Sequence, residues 1–216
     1  MCLTYLINCC STRNDELSFP RILGQRMETT LSRRGQMQMQ TLVETLGHRS
    51  VELVYSSPTA CARQLAAGIS AGQLPIYYRT GLADVDAGSW TGKTWREVYY
   101  DDSARALAYL NDPENHGYPD GETLLALQER VFKTVDGCMR QHENQTLAVV
   151  THPLCSCTVL AHLLKQPLRR IRDIEQDHGA VNVLRLMGGH IELCAANHVF
   201  QPESRQTRDK RILEGI

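Results

Sequence analysis

Cys9, Cys61 and His152 each stand just beyond a short apolar run of strand length, and together they offer two sulfurs and an imidazole nitrogen. With the carboxylate of Asp84 these donors make an acceptable shell for a borderline-soft ion, zinc or iron, although no paired Cys-x-x-Cys spacing accompanies them. The thiols have redox chemistry too, Cys9 with Cys10 or Cys9 with Cys61 changing oxidation state in contact with small oxidants. A thiolate can also attack phosphorus, provided that cationic neighbours favour its ionisation. The eight cysteines, at 2, 9, 10, 61, 138, 155, 157 and 194, lack the spacing of a small secreted disulfide framework and read as free thiols. Cys2, Cys138, Cys157 and Cys194 read as packing residues, because cysteine behaves as a small hydrophobe. Cys10 points away from Cys9, since successive residues leaving a strand face opposite sides. Cys155, one helical turn after His152, borders the same region but is better explained by packing. By its own sequence context Asp84 reads as a cap for the turn before Gly88.

Apolar segments of strand length alternate with amphipathic segments of helix length, which predicts a mostly parallel sheet with helices on both faces, a three-layer αβα sandwich. Strands are expected at Leu3 to Asn8, Val51 to Tyr55, Ile76 to Tyr78 and Thr146 to Thr151. Helices are expected from Ser32, an N-cap, to Leu46, stopped by Gly47, and over Thr59 to Ser70, Glu122 to Gln141 and Leu154 to Lys165. Ala180 to Leu186 and Ile191 to Ala195, joined by Gly188-Gly189, form an antiparallel C-terminal edge. The stretch 81–121 holds Gly88, Gly92, Pro113, Gly117 and Pro119 around one helical segment, Trp95 to Leu110. It reads as a lid insertion whose residues 93–118 set specificity, with Trp90 and Trp95 as lid packing. One domain spans residues 1–200, and 201–216 is a polar tail. Ligands of an open α/β sheet bind beyond the carboxyl ends of its strands. If the first, second and fourth strands are neighbours, Cys9, Cys61 and His152 therefore share a pocket.

The 216 residues are enough for a substantial core, and a formal charge of -1 leaves no whole-protein field to gather nucleic acid or an acidic membrane surface. The apolar runs fall well short of the roughly 20 residues that a bilayer crossing needs. Met1 to Ile7 reads as a buried strand rather than a secretory signal, so a cytoplasmic protein is expected. The expected partner is a small molecule in the pocket, with neither nucleic acid nor membrane; a homo-oligomer is left open.

Read in order, the motifs resemble those of the histidine phosphatase superfamily, the phosphoglycerate mutase-like fold, over roughly residues 3 to 198. Leu6-Ile7-Asn8-Cys9-Cys10-Ser11-Thr12 stands where the family has Leu-x-Arg-His-Gly-Glu-Thr. Arg21-x-x-Gly24 and Leu31-Ser32-x-x-Gly35-x-x-Gln38 match the next block, and Ser56-Ser57-Pro58-x-x-Cys61-Ala62-x-Gln64 resembles Ser-Ser-Pro-x-x-Arg-Ala-x-Gln. Leu82-x-Asp84, Gly88-x-Trp90-x-Gly92, Gly121-Glu122-Thr123 and Val150-Thr151-His152 complete the series. Each marker alone is weak; their order is specific.

In the family the signature histidine becomes a phosphohistidine, two arginines and a second histidine hold the phosphoryl oxygens, and an acid protonates the leaving group. By that resemblance Cys9 occupies the attacking position, Asn8 and Cys61 the two arginine positions, His152 that of the second histidine and Asp84 that of the acid. The resemblance thus assigns Cys9, His152 and Asp84 to catalysis and Asn8, Thr12 and Cys61 to ligand binding. His178 lies where family members approach the site, though its own reading is structural. Removing one preorganised donor from a transition state typically costs about 10²–10³ in rate, so losing two arginines costs roughly 10⁴ or more if the effects add. Arg13, Arg21 and Lys93 are the candidates to restore the missing charge. Two classes of function compete. One is an enzyme with altered chemistry, including a metal or thiol site on Cys9, Cys61 and His152 or a phosphatase with Cys9 as nucleophile. The other is a non-catalytic pseudophosphatase that binds or assembles.

Overall fold

The computed structural model describes residues 1–200; the expected polar tail, 201–216, lies outside the described residues. Six strands form one sheet: β1 (Cys2–Asn8), β2 (Leu53–Ser56), β3 (Ile76–Tyr78), β4 (Thr146–Thr151), β5 (Val181–Met187) and β6 (His190–His198). Their order is β3-β2-β4-β1-β5-β6, with β4 parallel to both β1 and β2, β3 parallel to β2, and β5 and β6 antiparallel at the edge. The expected α/β class, with its mostly parallel sheet and antiparallel C-terminal edge, is present. Leu147 to Val150 are buried on both faces, as a central strand covered by two helix layers requires.

Side chains alternate across the sheet and separate two cores. On one side Tyr5 and Ile7 pack with Leu42 and Leu46 of α1 (Arg33–Leu46) and Leu65 of α2 (Ala60–Ser70). On the other, Leu6 packs with Leu127 and Val131 of a long helix and with Val159 and Leu160 of a later one. Between α2 and the long helix, the stretch 81–121 holds two helices where the sequence reads one, α3 (Trp95–Asp101) and α4 (Ser103–Asn111). The break is at Asp102, whose carboxylate accepts from the Arg105 N–H at 3.1 Å and so starts a new helix. Trp90 is buried edge-on among Trp95, Tyr109 and Tyr118, the packing role expected of it.

The long helix, α5 (Leu124–Gln141), begins two residues later than expected, capped by Thr123, whose hydroxyl accepts from the Ala126 N–H at 3.1 Å. Glu122 is engaged elsewhere, by the Arg130 guanidinium at 2.8 and 2.9 Å. The last helix, α6 (Pro153–Leu163), starts with proline at its first position, where a missing N–H costs nothing. Ser32 caps α1 as expected, accepting from the Gly35 N–H at 3.0 Å. The helix stops after Leu46 with Gly47 as its C-cap, as expected, although Gly47 keeps φ -57° and the left-handed residue is Ser50, at φ 51°. No helix among the described residues is long and apolar enough to cross a membrane.

Candidate active site

The three parallel strands β1, β4 and β2 end side by side. Asn8 is in register with Thr151 and Ser56 with Val150, and the ladders run one residue further through Cys9 N–H to Thr151 O (2.8 Å) and Ser57 N–H to Val150 O (2.9 Å). Cys9 keeps the sheet face of Ile7, so its side chain looks toward the start of α2, where Cys61 is the second helical residue. His152 takes the N-cap position of α6, pinned by Pro153 behind it. This convergence brings Cys9 Sγ to 3.4 Å from Cys61 Sγ, and the donor atoms of Cys9, Cys61 and His152 all lie within 4.8 Å of one another.

The imidazole is oriented from both sides. Its Nε2 lies 3.0 Å from Ser57 Oγ and 3.2 Å from Thr59 Oγ1, and Thr59 Oγ1 is in turn 3.7 Å from Cys61 Sγ. Its Nδ1 faces Asp84 Oδ2 at 3.8 Å. Asp84 also accepts from the Val85 N–H at 2.8 Å, but the turn before Gly88 is capped by Asp86, whose Oδ1 accepts the Gly88 N–H at 3.0 Å. The capping alternative for Asp84 therefore belongs to its neighbour, and Asp84 is at the cavity.

The two thiols share a proton unequally. The contact with Cys9, aided by the nearby His152, lowers the Cys61 thiol to about 6, while that same contact and burial hold Cys9 well above the usual thiol range.

A cavity of about 170 Å³ opens over these groups. Its walls are Cys9, Thr12, Cys61, Asp84 and His152, with a rim from residues 12–29 that includes Asp15 and Arg21. Asn8 stands apart from this lining: its amide is turned under the loop, donating to Gln176 Oε1 and Asp177 O, each at 2.9 Å. Thr12 reaches the wall with its N–H and hydroxyl already donated to Asp15 Oδ2. Of the 81–121 stretch, Asp84 is the residue that lines the cavity; the rim that faces an entering ligand comes from 12–29 instead of the expected 93–118.

Of the three candidate cations, Arg21 and Lys93 are engaged by other groups and Arg13 lies outside the cavity lining. Arg21 lines the cavity but donates to Gly92 O and sits 3.7 Å from Glu97. Lys93 pairs with Asp101 at 2.7 Å, and Arg13 is exposed outside the lining. Cys10 is buried in the same core as Cys9, toward Gly179, and lies outside the cavity lining, and Cys155 donates to Ala83 O at 3.3 Å. Cys155 thus has the packing role expected of it, and of the pair Cys9 and Cys10 only Cys9 lines the cavity.

His178 is the residue that the sequence reading undervalued. It lines the cavity, its Nδ1 3.2 Å from Cys9 O and its Nε2 3.7 Å from Asp15 Oδ2. The signal was the antiparallel edge: a strand that runs the other way starts where its parallel neighbours end, so the residues before β5 lie at the same rim.

Comparison with known proteins agrees with this architecture. The curated phosphoserine phosphatase 1 of Hydrogenobacter thermophilus is 26% identical over 164 residues, covering 74% of this chain and 76% of its own. The adenosylcobalamin/alpha-ribazole phosphatase of Salmonella typhimurium is 24% identical over 178 residues, 81% of this chain and 88% of that protein. The solved structure of Bacillus stearothermophilus YhfR superposes with a TM-score of 0.86 at 24% identity, over 92% of this chain and 98% of that one. The profile of the histidine phosphatase superfamily (branch 1) matches residues 16–198, most of the chain. With its sheet order, its paired strand ends and this match, the chain belongs to the histidine phosphatase superfamily.

Proposed function

We propose that this chain has exchanged phosphohistidine chemistry for a thiophilic metal site. A zinc or iron ion is held by Cys9, Cys61 and His152, and a position open to the cavity takes a small-molecule ligand. The observation that carries this reading is the cluster of two sulfurs and one imidazole within 4.8 Å, at the joined ends of three strands. A tetrahedral ion about 2.3 Å from each sulfur spaces two thiolates roughly 3.8 Å apart, so the 3.4 Å pair needs only a few tenths of an ångström of relaxation. Three protein ligands with one open position is the arrangement of catalytic rather than structural zinc, and Asp84 behind the imidazole supplies the supporting carboxylate such a ligand commonly has. An ion there would polarise a ligand entering the cavity, while the rim residues Asp15, Arg21 and His178 would orient it.

Metal content of the freshly purified protein tests this directly. About one zinc or iron per chain is expected, lost in Cys9→Ser and in Cys61→Ser and retained in Cys155→Ser. A metal-free wild-type protein overturns the reading.

The second reading, a phosphomonoester phosphatase working through Cys9, draws support from the names of the relatives. It is opposed by the elevated Cys9 thiol and by the engagement of Arg21, the guanidinium of the cavity lining, with Gly92 O and Glu97. Phosphoserine and other small phosphomonoesters are expected to show no turnover. Turnover abolished by Cys9→Ser and spared by Cys155→Ser would restore this second reading, and a protein with neither metal nor turnover would be a binding member of the family.

A further inference from the structure

Cys9 and Cys61 are 52 positions apart in the chain, yet their sulfurs meet at 3.4 Å in the wall of an open cavity. A disulfide bond is about 2.05 Å long, so closing the pair takes roughly 1.3–1.4 Å of sulfur movement, within reach of small side-chain rotations. The other thiols near the site have different engagements. Cys10 faces Gly179, Cys155 Sγ donates to Ala83 O and Cys157 Sγ to Ile174 O, each of the latter at 3.3 Å. An oxidant admitted to the cavity therefore meets one sulfur with a second already against it, the arrangement that carries a sulfenic acid on to a disulfide before further oxidation.

We propose that Cys9 and Cys61 form a reversible disulfide on contact with a hydroperoxide, a modification that dismantles the ligand set of the pocket. One thiol gives up its proton, the thiolate attacks a peroxide oxygen, the O–O bond breaks, and the departing hydroxide takes up that proton and leaves as water, giving a sulfenic acid. The second thiol attacks that sulfur, the S–S bond forms and the sulfenic oxygen departs as a second water. The balance is two thiols and one hydrogen peroxide to one disulfide and two waters, the sulfurs oxidised and the peroxide reduced. A dithiol reverses the step by exchange. Loss of metal on oxidation rests on the metal reading above; the disulfide itself does not.

The test is the intact mass of the full-length protein after brief exposure to hydrogen peroxide, with peptide mapping of the product. The expected result is a loss of about 2 Da, restored by dithiothreitol, with a Cys9 to Cys61 cross-link. That loss should vanish in Cys9→Ser and Cys61→Ser and persist in Cys155→Ser. An unchanged mass, gains of about 16 or 32 Da without the loss, or a cross-link through Cys10 would overturn the inference. Mapping the wild-type product keeps the test decisive even if a variant folds poorly. Zinc or iron release is followed in the same samples. A disulfide in metal-free protein sinks the metal reading alone, and a metal-loaded protein that forms no disulfide sinks this inference alone.

Discussion

Asp84 shows how much a single side chain can decide. Its Oδ2 stands 3.8 Å from His152 Nδ1, while Ser57 and Thr59 hold the opposite nitrogen, so the ring is oriented between a carboxylate and two hydroxyls. In the metal site proposed here the carboxylate raises the basicity of the ligating imidazole, and such supporting partners are typically worth about 10–100-fold in affinity. Asp84→Asn should therefore weaken zinc binding by that factor in a chelator competition; unchanged affinity would reduce Asp84 to a turn residue that holds the Val85 N–H. Cys9, Cys61 and His152 were legible as partners because each follows a strand, and parallel strands deliver their ends to one edge. Asn8 was not legible in the same way. Its short amide does not span the distance that a guanidinium in that place would: its Nδ2 is held under the loop by Gln176 and Asp177, while its buried Oδ1 has no hydrogen-bond partner among the described residues.

Among the elements, the contact between α1 and the loop after β1 has the least slack. A Cβ built on Gly35 would lie 1.8 Å from Ser11 O, a backbone atom that cannot swing aside. Gly35→Ala should destabilise the fold by about 1–3 kcal/mol or more and displace the Ser11-Thr12 wall of the cavity, measured by denaturant unfolding and by metal content. A variant with unchanged unfolding would show that α1 moves off the loop freely. The strands and the main helices were readable because their apolar periodicity is set by the two cores they face. The break at Asp102 was less so: an aspartate within a helical pattern is ordinary, and only its bond to the Arg105 N–H turns it into a new N-cap. The rim from 12 to 29 carries short 3-10 turns without periodicity, so its place over the cavity depended on tertiary contacts such as the Arg21 and Thr94 bridge.

At the scale of the whole molecule, the thiols that take no part in the site set a limit on alkaline stability. Burial raises Cys138 and Cys157 to about 11 each, and Cys155 well above the ordinary thiol value. A raised folded value means that the folded state keeps its proton while the unfolded chain gives it up. The contribution is therefore complete below pH ~9 and declines as pH rises from ~9 toward the folded values. The melting temperature should fall more steeply between pH 9 and 11 in the native chain than in a Cys138→Ala, Cys157→Ala double variant. Parallel curves would show that alkaline unfolding comes from other groups.

The central place of β4 carries a consequence for how the chain matures. Leu3 pairs with Thr146 and Leu53 with Leu147, so β4 slides between two strands synthesised long before it. Until it emerges from the ribosome, Cys9 and Cys61 have no imidazole and no shared wall, and loading of the proposed ion must wait until His152 has been made. Nascent chains halted before His152 should accordingly leave the ribosome without metal, however much is supplied.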